Sequence, residues 1–331
     1  MSKVQQLKSL LGCRVPIISA PMGGVSGGSL AYAVSRAGGF GLIGNSRPQI
    51  LPKELQIVHQ LQQQQKPVND ITRIGVGFQG WNLDQLQEKE ALDSINLAMR
   101  HENVTAVWFS FGDDLLKWIK HAKAFKDKKM IVFVMVGNEE DAQKILGYGD
   151  AVDVLVIQGT ESGGHGWENG SSVRTLFRRV VEMQKSISGG PLLVAAGGVG
   201  NANDVQNLLQ DQDCSGVLVG TRFQNATESL LTDLQKQRLI QAKRKDTIRS
   251  VYFDHMRGTL DWPAHVDARG ISTPLVHNLI DEVVPESDAM KAYEKVPESE
   301  GILWAGLGVD DIKGVQDAKD IVDELSALIK Q

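Results

Sequence analysis

Eight short apolar runs recur along the chain with polar stretches of helical spacing between them, and few folds satisfy that rhythm. The runs are VPIISA (15–20), GFGLIG (39–44), RIGVGF (73–78), TAVWFSF (105–111), MIVFVMV (130–136), DVLVIQG (153–159), PLLVAAGG (191–198) and SGVLVGT (215–221). Most are continuously apolar rather than alternating, as strands covered on both faces must be, which favours a parallel sheet. The segments 29–38, 114–126, 140–149 and 202–212 carry helical periodicity and mostly end near glycine, a common helix stop. Eight strand and helix units suit a closed (β/α)₈ TIM barrel better than an open doubly wound sheet, and 331 residues hold such a barrel with an elaboration.

The rhythm predicts a barrel over 1–226, a cap over 227–300 and a return to the barrel over 301–331. Within the cap, 227–246 reads as one polar amphipathic helix and 247–300 as irregular chain rich in Pro, Gly, Trp and His. The strong helical spacing of 310–330 predicts the outer helix that completes the barrel. The glutamine-rich stretch 60–70 reads as an exposed helix end and loop.

Apolar residues at 42% and charged residues at 23% are ordinary for a globular protein, and a net charge of −5 without a basic stripe shows no nucleic-acid footprint. Lys243, Arg244 and Lys245 form a short cluster that reads as a solvated face. Two cysteines, Cys13 and Cys214, cannot form a disulfide framework and suit a reducing compartment. The first residues are too polar for a secretory signal, and no apolar run reaches the ~18 residues of a membrane span. These features together predict a cytoplasmic protein with no membrane or nucleic-acid partner; no pattern bears on oligomeric state.

Two literal G-x-G-x-x-G matches, Gly39-Gly41-Gly44 and Gly75-Gly77-Gly80, carry little weight, because a dinucleotide site needs the motif to run from a strand end into a helix. AAGGVG (195–200) and VGTRF (219–223) follow the seventh and eighth runs, where barrels commonly build phosphate sites from backbone N–H groups. Gly197, Gly198 and Gly220 would let the backbone approach an anion, with Thr221 adding a hydroxyl donor; the alternative is that these glycines serve tight turns. In QGTESGGHG (158–166), Gly163 and Gly164 leave room for a flat ring, and His165 projects from a loop at the catalytic end of the barrel. A neutral imidazole there can remove a weakly acidic C–H proton near pH 7. Met22, at the end of the first strand before Gly23 and Gly24, suits core packing and cofactor contact equally.

The other histidines carry less. His59, His101 and His121 fall in polar helical segments, and His255, His265 and His277 lie in the cap near Asp254, Asp261 and Asp267 without metal-site spacing. Trp262-Pro263 reads either as closing the pocket or as packing within the cap, with packing the favoured role.

APMGG, AVSRAGGFGLIG, QGTESGGHG, LLVAAGGVG and VGTRF, in that order, resemble the signature of the nitronate monooxygenases, formerly called 2-nitropropane dioxygenases. The likeness covers about residues 15–225, with echoes in the cap and in WAGLGV (304–309), and RIGVGFQGW and AVWFSFGD look most like fungal-type members. The resemblance implies non-covalent FMN: Met22 and Gly23 beside the isoalloxazine, Gln158 and Gly164 near the ring, and Gly197, Gly198, Gly220 and Thr221 at the phosphate. Gly77, Gly163 and Ala196 complete the implied contacts, and His165 matches the family's catalytic base. The implied activity is oxidation of alkyl nitronates, or of nitroalkanes, with O₂ to a carbonyl compound and nitrite. FMN-dependent NAD(P)H:quinone and enoyl-thioester reductases share the barrel and the GGH loop and form the rival reading.

Two positions depart from the pattern. Gly77 stands where many bacterial members carry an amide side chain, and Met135 where related fungal sequences often have Gln.

Overall fold

The computed structural model describes residues 1–45, 48–65, 70–187 and 189–329. Strands β1 (Ile17–Ser19), β2 (Gly41–Asn45), β3 (Ile74–Gln79), β4 (Val104–Ser110), β5 (Ile131–Val136) and β6 (Val154–Gln158) are followed by β7 (Gly164–Trp167), β8 (Leu192–Ala196) and β9 (Cys214–Val219). The chain then adds β10 (Thr247–Ser250) and β11 (Val266–Ile271). All strands but β7, β10 and β11 pair in parallel, in the order β1-β9-β8-β6-β5-β4-β3-β2. A parallel bridge from Ile18 to Phe40, just ahead of β2, brings the two ends of this sheet together. The eight apolar runs are therefore the eight staves of a TIM barrel.

The interior is packed. Phe133 stacks between Phe40 and Trp108 at centroid distances of 6.1 Å to each, and Leu42, Ala106, Val154, Val156, Val194 and Leu218 fill the space around them. Helix Lys3–Leu11 brings fully buried Leu7 and Leu11 into this interior cluster. Leu7 reaches Gly216 so closely that a side chain there would collide with it.

Four helices take the places their periodicity predicts: Gly28–Arg36, Leu116–Lys123, Glu139–Leu146 and Ala202–Leu209. The glutamine-rich stretch departs from expectation. Helix Leu51–Gln64 carries Gln62 into the interior, where its Oε1 accepts from Thr72 N (3.1 Å) and Asn103 Nδ2 (2.9 Å). Gln65 Oε1 likewise accepts from Thr72 Oγ1 at 2.9 Å, so these amides satisfy buried backbone and side-chain groups rather than facing water. The remainder of that stretch, 66–69, lies outside the described residues.

Beyond the barrel, 227–246 forms only the helix Asp233–Gln241, opened by a Thr232 and Gln235 capping box, with Arg244–Asp246 a separate 3₁₀ turn. The segment after it is more regular than its composition suggests. β10, β11 and β7 form an antiparallel sheet, and short helices Tyr252–Arg257, Pro274–Ile280 and Ala289–Tyr293 pack on it around Phe253, Met256, Ala268, Val276, Leu279 and Ala289. β7 itself is the GGHG stretch, a strand where the sequence predicts a loop. Its glycines give it little strand propensity, and it is held in place by β11, about a hundred residues later, with His165 opposite Ala268.

The closing helix is also shorter than the spacing of 310–330 implies, because Leu307–Asp311 is a 3₁₀ turn and Ala318–Ser326 alone is α-helical. Glu228 accepts the N–H of Ala318 at 2.9 Å, Arg222 pairs with Glu324 at 2.7 Å, and Ile321, Val322 and Leu325 pack on Ile17 and Val217.

Candidate active site

A cavity of about 850 Å³ opens at the carboxyl ends of the barrel strands, and the cap roofs it. It is lined by Met22, Gly23, Gly77, Gln158, Gly163, Gly164, His165, Ala196, Gly197, Gly198, Gly220 and Thr221, so the residues that the resemblance assigns to the cofactor and to catalysis meet in one place. Met135 joins them on the floor beside Trp108. Catalytic sites of this fold sit at the same end, because the strand-to-helix loops converge there.

The glycine-rich loops have distinct reasons for their composition. Gly197 and Gly198 turn through φ of 122° and 72°, the left-handed region where a side chain is strained. A side chain at Gly77 would meet Pro21 Cβ at 2.5 Å, which leaves no room at that position for an amide side chain. Gly163 lies in backbone contact with Gly306 of the segment after the cap. Gly220, by contrast, has an ordinary φ of −103°, and a Cβ there would meet Met22 Sδ at 3.6 Å. Met22 meets both descriptions the sequence left open, since it lines the cavity and packs on the cluster around Ile17 and Leu30.

Thr221 Oγ1 accepts the N–H of Gly306 at 2.9 Å, which leaves its hydroxyl hydrogen for a group in the cavity. Gln158 Nε2 donates to the carbonyl of His165 at 3.2 Å and so ties the end of β6 to β7. Four buried atoms on the wall, Asn45 Oδ1, Trp81 Nε1, Ser162 Oγ and Gln224 Oε1, have no partner among the described residues. Orphaned polar atoms around a cavity with apolar Trp108, Met135 and Met22 suit a ligand that is aromatic and carries several polar groups at its edges.

His165 stands at the junction of barrel and cap. Its Nε2 lies 2.9 and 3.0 Å from the two carboxylate oxygens of Asp254, and the two side chains are only 9% and 8% exposed. Trp262 stacks on the imidazole with centroids 3.6 Å apart and planes within 11°, and Trp304 meets it at 5.1 Å edge to face. Burial holds the imidazole below its ordinary pKa, against the opposing pull of Asp254, so at pH 7 the ring is mainly neutral. Trp262 is thus a wall of the site rather than only packing within the cap. Trp81 and Phe111 extend that wall, at 4.9 and 5.2 Å from Trp262.

Asp254, Trp262 and Trp304 escape a reading of the sequence because they reach His165 only through the folding of the cap. Nothing in the spacing of Asp254 and Trp262 marks them, and the WAGLGV motif that holds Trp304 gives no sign of contact with His165. At the opening, exposed Lys53 and Arg257 also line the cavity, while Glu54 beside them is buried and accepts from Gly28 N at 2.7 Å. Among the described residues no group of His, Cys, Asp and Glu could hold a metal ion, and no helix is long and apolar enough to cross a membrane.

The sequence matches the family model described as Nitronate monooxygenase over residues 5–327, nearly the whole chain. The chain belongs to the nitronate monooxygenase family. It is accordingly an oxidoreductase. Family relatives include the nitronate monooxygenase of Metarhizium robertsii, 29% identical with 96% of this chain and 92% of that protein covered. A second fungal relative, the nitronate monooxygenase of Neurospora crassa, is 28% identical with 95% and 89% covered. Among solved structures, the nitroalkane oxidase of Streptomyces ansochromogenes superposes with a TM-score of 0.73 at 22% identity, covering 97% of both chains. FabK from Thermotoga maritima gives the same TM-score at 21% identity, covering 97% of this chain and 94% of its own. Both share the family's fold with this chain.

Proposed function

We propose that the cavity holds FMN and that the enzyme oxidises small alkyl nitronates, and neutral nitroalkanes after removal of their α-proton, with O₂ to a carbonyl compound and nitrite. The observation that carries this reading is His165, buried and mainly neutral, lining the same cavity as the paired glycine loops after β8 and β9. The flavin, when bound, supplies the electron acceptor and the route to O₂.

The chain's own residues do the rest. The Gly197–Gly198 turn, Gly220 and the Thr221 hydroxyl would hold the phosphate, and Met22, Gln158 and Gly164 would border the ring. Asn45, Ser162 and Gln224 offer polar atoms to its edges. His165 takes the α-proton of a neutral nitroalkane, and the Trp262, Trp304 and Phe111 walls keep bulk water from the reacting carbon. Lys53 and Arg257 at the opening favour entry of an anion, which a nitronate is.

With ethylnitronate in air, the purified protein should consume O₂ and release nitrite. Absence of nitrite from a flavin-bearing preparation with every short-chain nitronate would overturn the reading.

A further inference from the structure

We propose that Asp254, held in turn by Thr259, is a positioning residue for His165: it fixes the imidazole with its proton on Nε2 and leaves Nδ1 as the atom that takes the substrate's α-proton. The inference rests on the reading of His165 as the base and adds to it the atom that acts and the group that orients it.

A carboxylate accepts only, so both short contacts, 2.9 and 3.0 Å, require a proton on Nε2. Nε2 therefore cannot be the proton acceptor while the pair is intact. No hydrogen bond reaches Nδ1 among the described residues, and the side chain lines the cavity. Asp254 is itself fixed: Thr259 Oγ1 donates to its Oδ1 at 2.7 Å, and Thr259 N donates to its backbone carbonyl at 3.1 Å. Gly258, at φ 64°, ends helix Tyr252–Arg257 and turns the chain so that Thr259 folds back onto the carboxylate. Phe253 and Met256 on the same helix are buried in the cap core with Ala268, the residue opposite His165 in the sheet. The carboxylate and the imidazole are thus referenced to one small rigid unit.

In the step itself, the α-C–H bond of the nitroalkane breaks, its electron pair passes into the nitro group to give the nitronate, and an N–H bond forms at Nδ1. The imidazolium that results has Asp254 against its other nitrogen. The remaining charges around His165 are Arg257 on the same helix and Asp267 on β11, the latter neutralised by Arg249 of β10. Trp262 and Trp304 contribute no charge. Among the described residues, Asp254 is therefore the one anion that directly meets the ring without a cationic partner of its own.

The test uses the flavin-bearing enzyme. Nitrogen-15 NMR of the histidine rings, with His165 assigned by its disappearance in His165→Asn, should show the Nε2-protonated tautomer in the wild type. Asp254→Asn should lower kcat for nitroethane by about 10² to 10⁴-fold, as loss of an orienting carboxylate does elsewhere. KM should change little, ethylnitronate oxidation should stay within a few-fold, and the acid limb of the nitroethane profile should move to lower pH. Asp254→Glu should recover part of the loss. A wild-type ring protonated on Nδ1 overturns the proposal, as does an Asp254→Asn enzyme with unchanged nitroethane turnover and an unmoved pH limb. Should the protein oxidise no nitro compound, the function reading fails, yet the tautomer still decides the role of Asp254. The same wild-type spectrum decides it if Asp254→Asn does not fold.

Discussion

Trp262 lies flat against His165, their ring centroids 3.6 Å apart, and so separates the imidazole from solvent on one entire face. The contact explains why burial, rather than the carboxylate of Asp254, sets the direction of the imidazole's pKa. Removing the indole should let water reach the ring and move its pKa up toward the ordinary value. A base must be neutral to act, so activity on a neutral nitroalkane rises with pH through that pKa. In Trp262→Ala the acid limb should therefore shift to higher pH, opposite in sign to the shift from loss of Asp254. A pH profile of kcat/KM with nitroethane checks this, and an unmoved limb would mean that Trp262 does not control the hydration of His165.

His165→Asn should slow nitroethane oxidation by about 10² to 10⁴-fold, the usual worth of a general base. Ethylnitronate has already lost the proton, so its oxidation should suffer far less in the same variant. Parallel steady-state assays on the two substrates make the comparison. Equal small losses on both, with flavin retained, would return His165 to a packing role.

The proposed phosphate loop is best probed at Gly220. Gly198 is a poor choice, since its φ of 72° costs any other residue ~1–2 kcal/mol before a ligand is considered. Gly220 has a negative φ of −103°, and a Cβ there would make only ordinary contact with Met22 and Ala20. Gly220→Leu should abolish flavin retention, seen as loss of visible absorbance after gel filtration, with far-ultraviolet circular dichroism unchanged. Retained flavin at normal affinity would show that the turn is only structural.

How far the sequence discloses these features follows from where each one is encoded. The eight barrel strands are local, written as continuous apolar runs such as MIVFVMV, and their parallel pairing follows from burial on both faces. The glycine-rich turns at 197–198 and 220–221 are legible as turns at strand ends, while the residues alone leave open whether they serve an anion or only the turn. The cap is not local. β7 is a strand only because β11 pairs with it, and Gly164 and Gly166 give no hint of that. Asp254 reads as one acidic residue among several in the cap, and only the fold selects it over Asp261 and Asp267 as the partner of His165. The glutamines at 62 and 65 mislead for the same reason, since polar side chains that satisfy buried groups look like surface until their partners are placed.

The central claim is that a flavin in this cavity takes electrons from a nitronate, and anaerobic mixing tests it most directly. Purified enzyme combined without oxygen with ethylnitronate should lose its oxidised flavin absorbance within the turnover time, whereas NADH or NADPH should leave that absorbance unchanged over the same interval. Rapid bleaching by a pyridine nucleotide with none by the nitronate would contradict the account and make the protein a flavin-dependent NAD(P)H oxidoreductase on the same barrel.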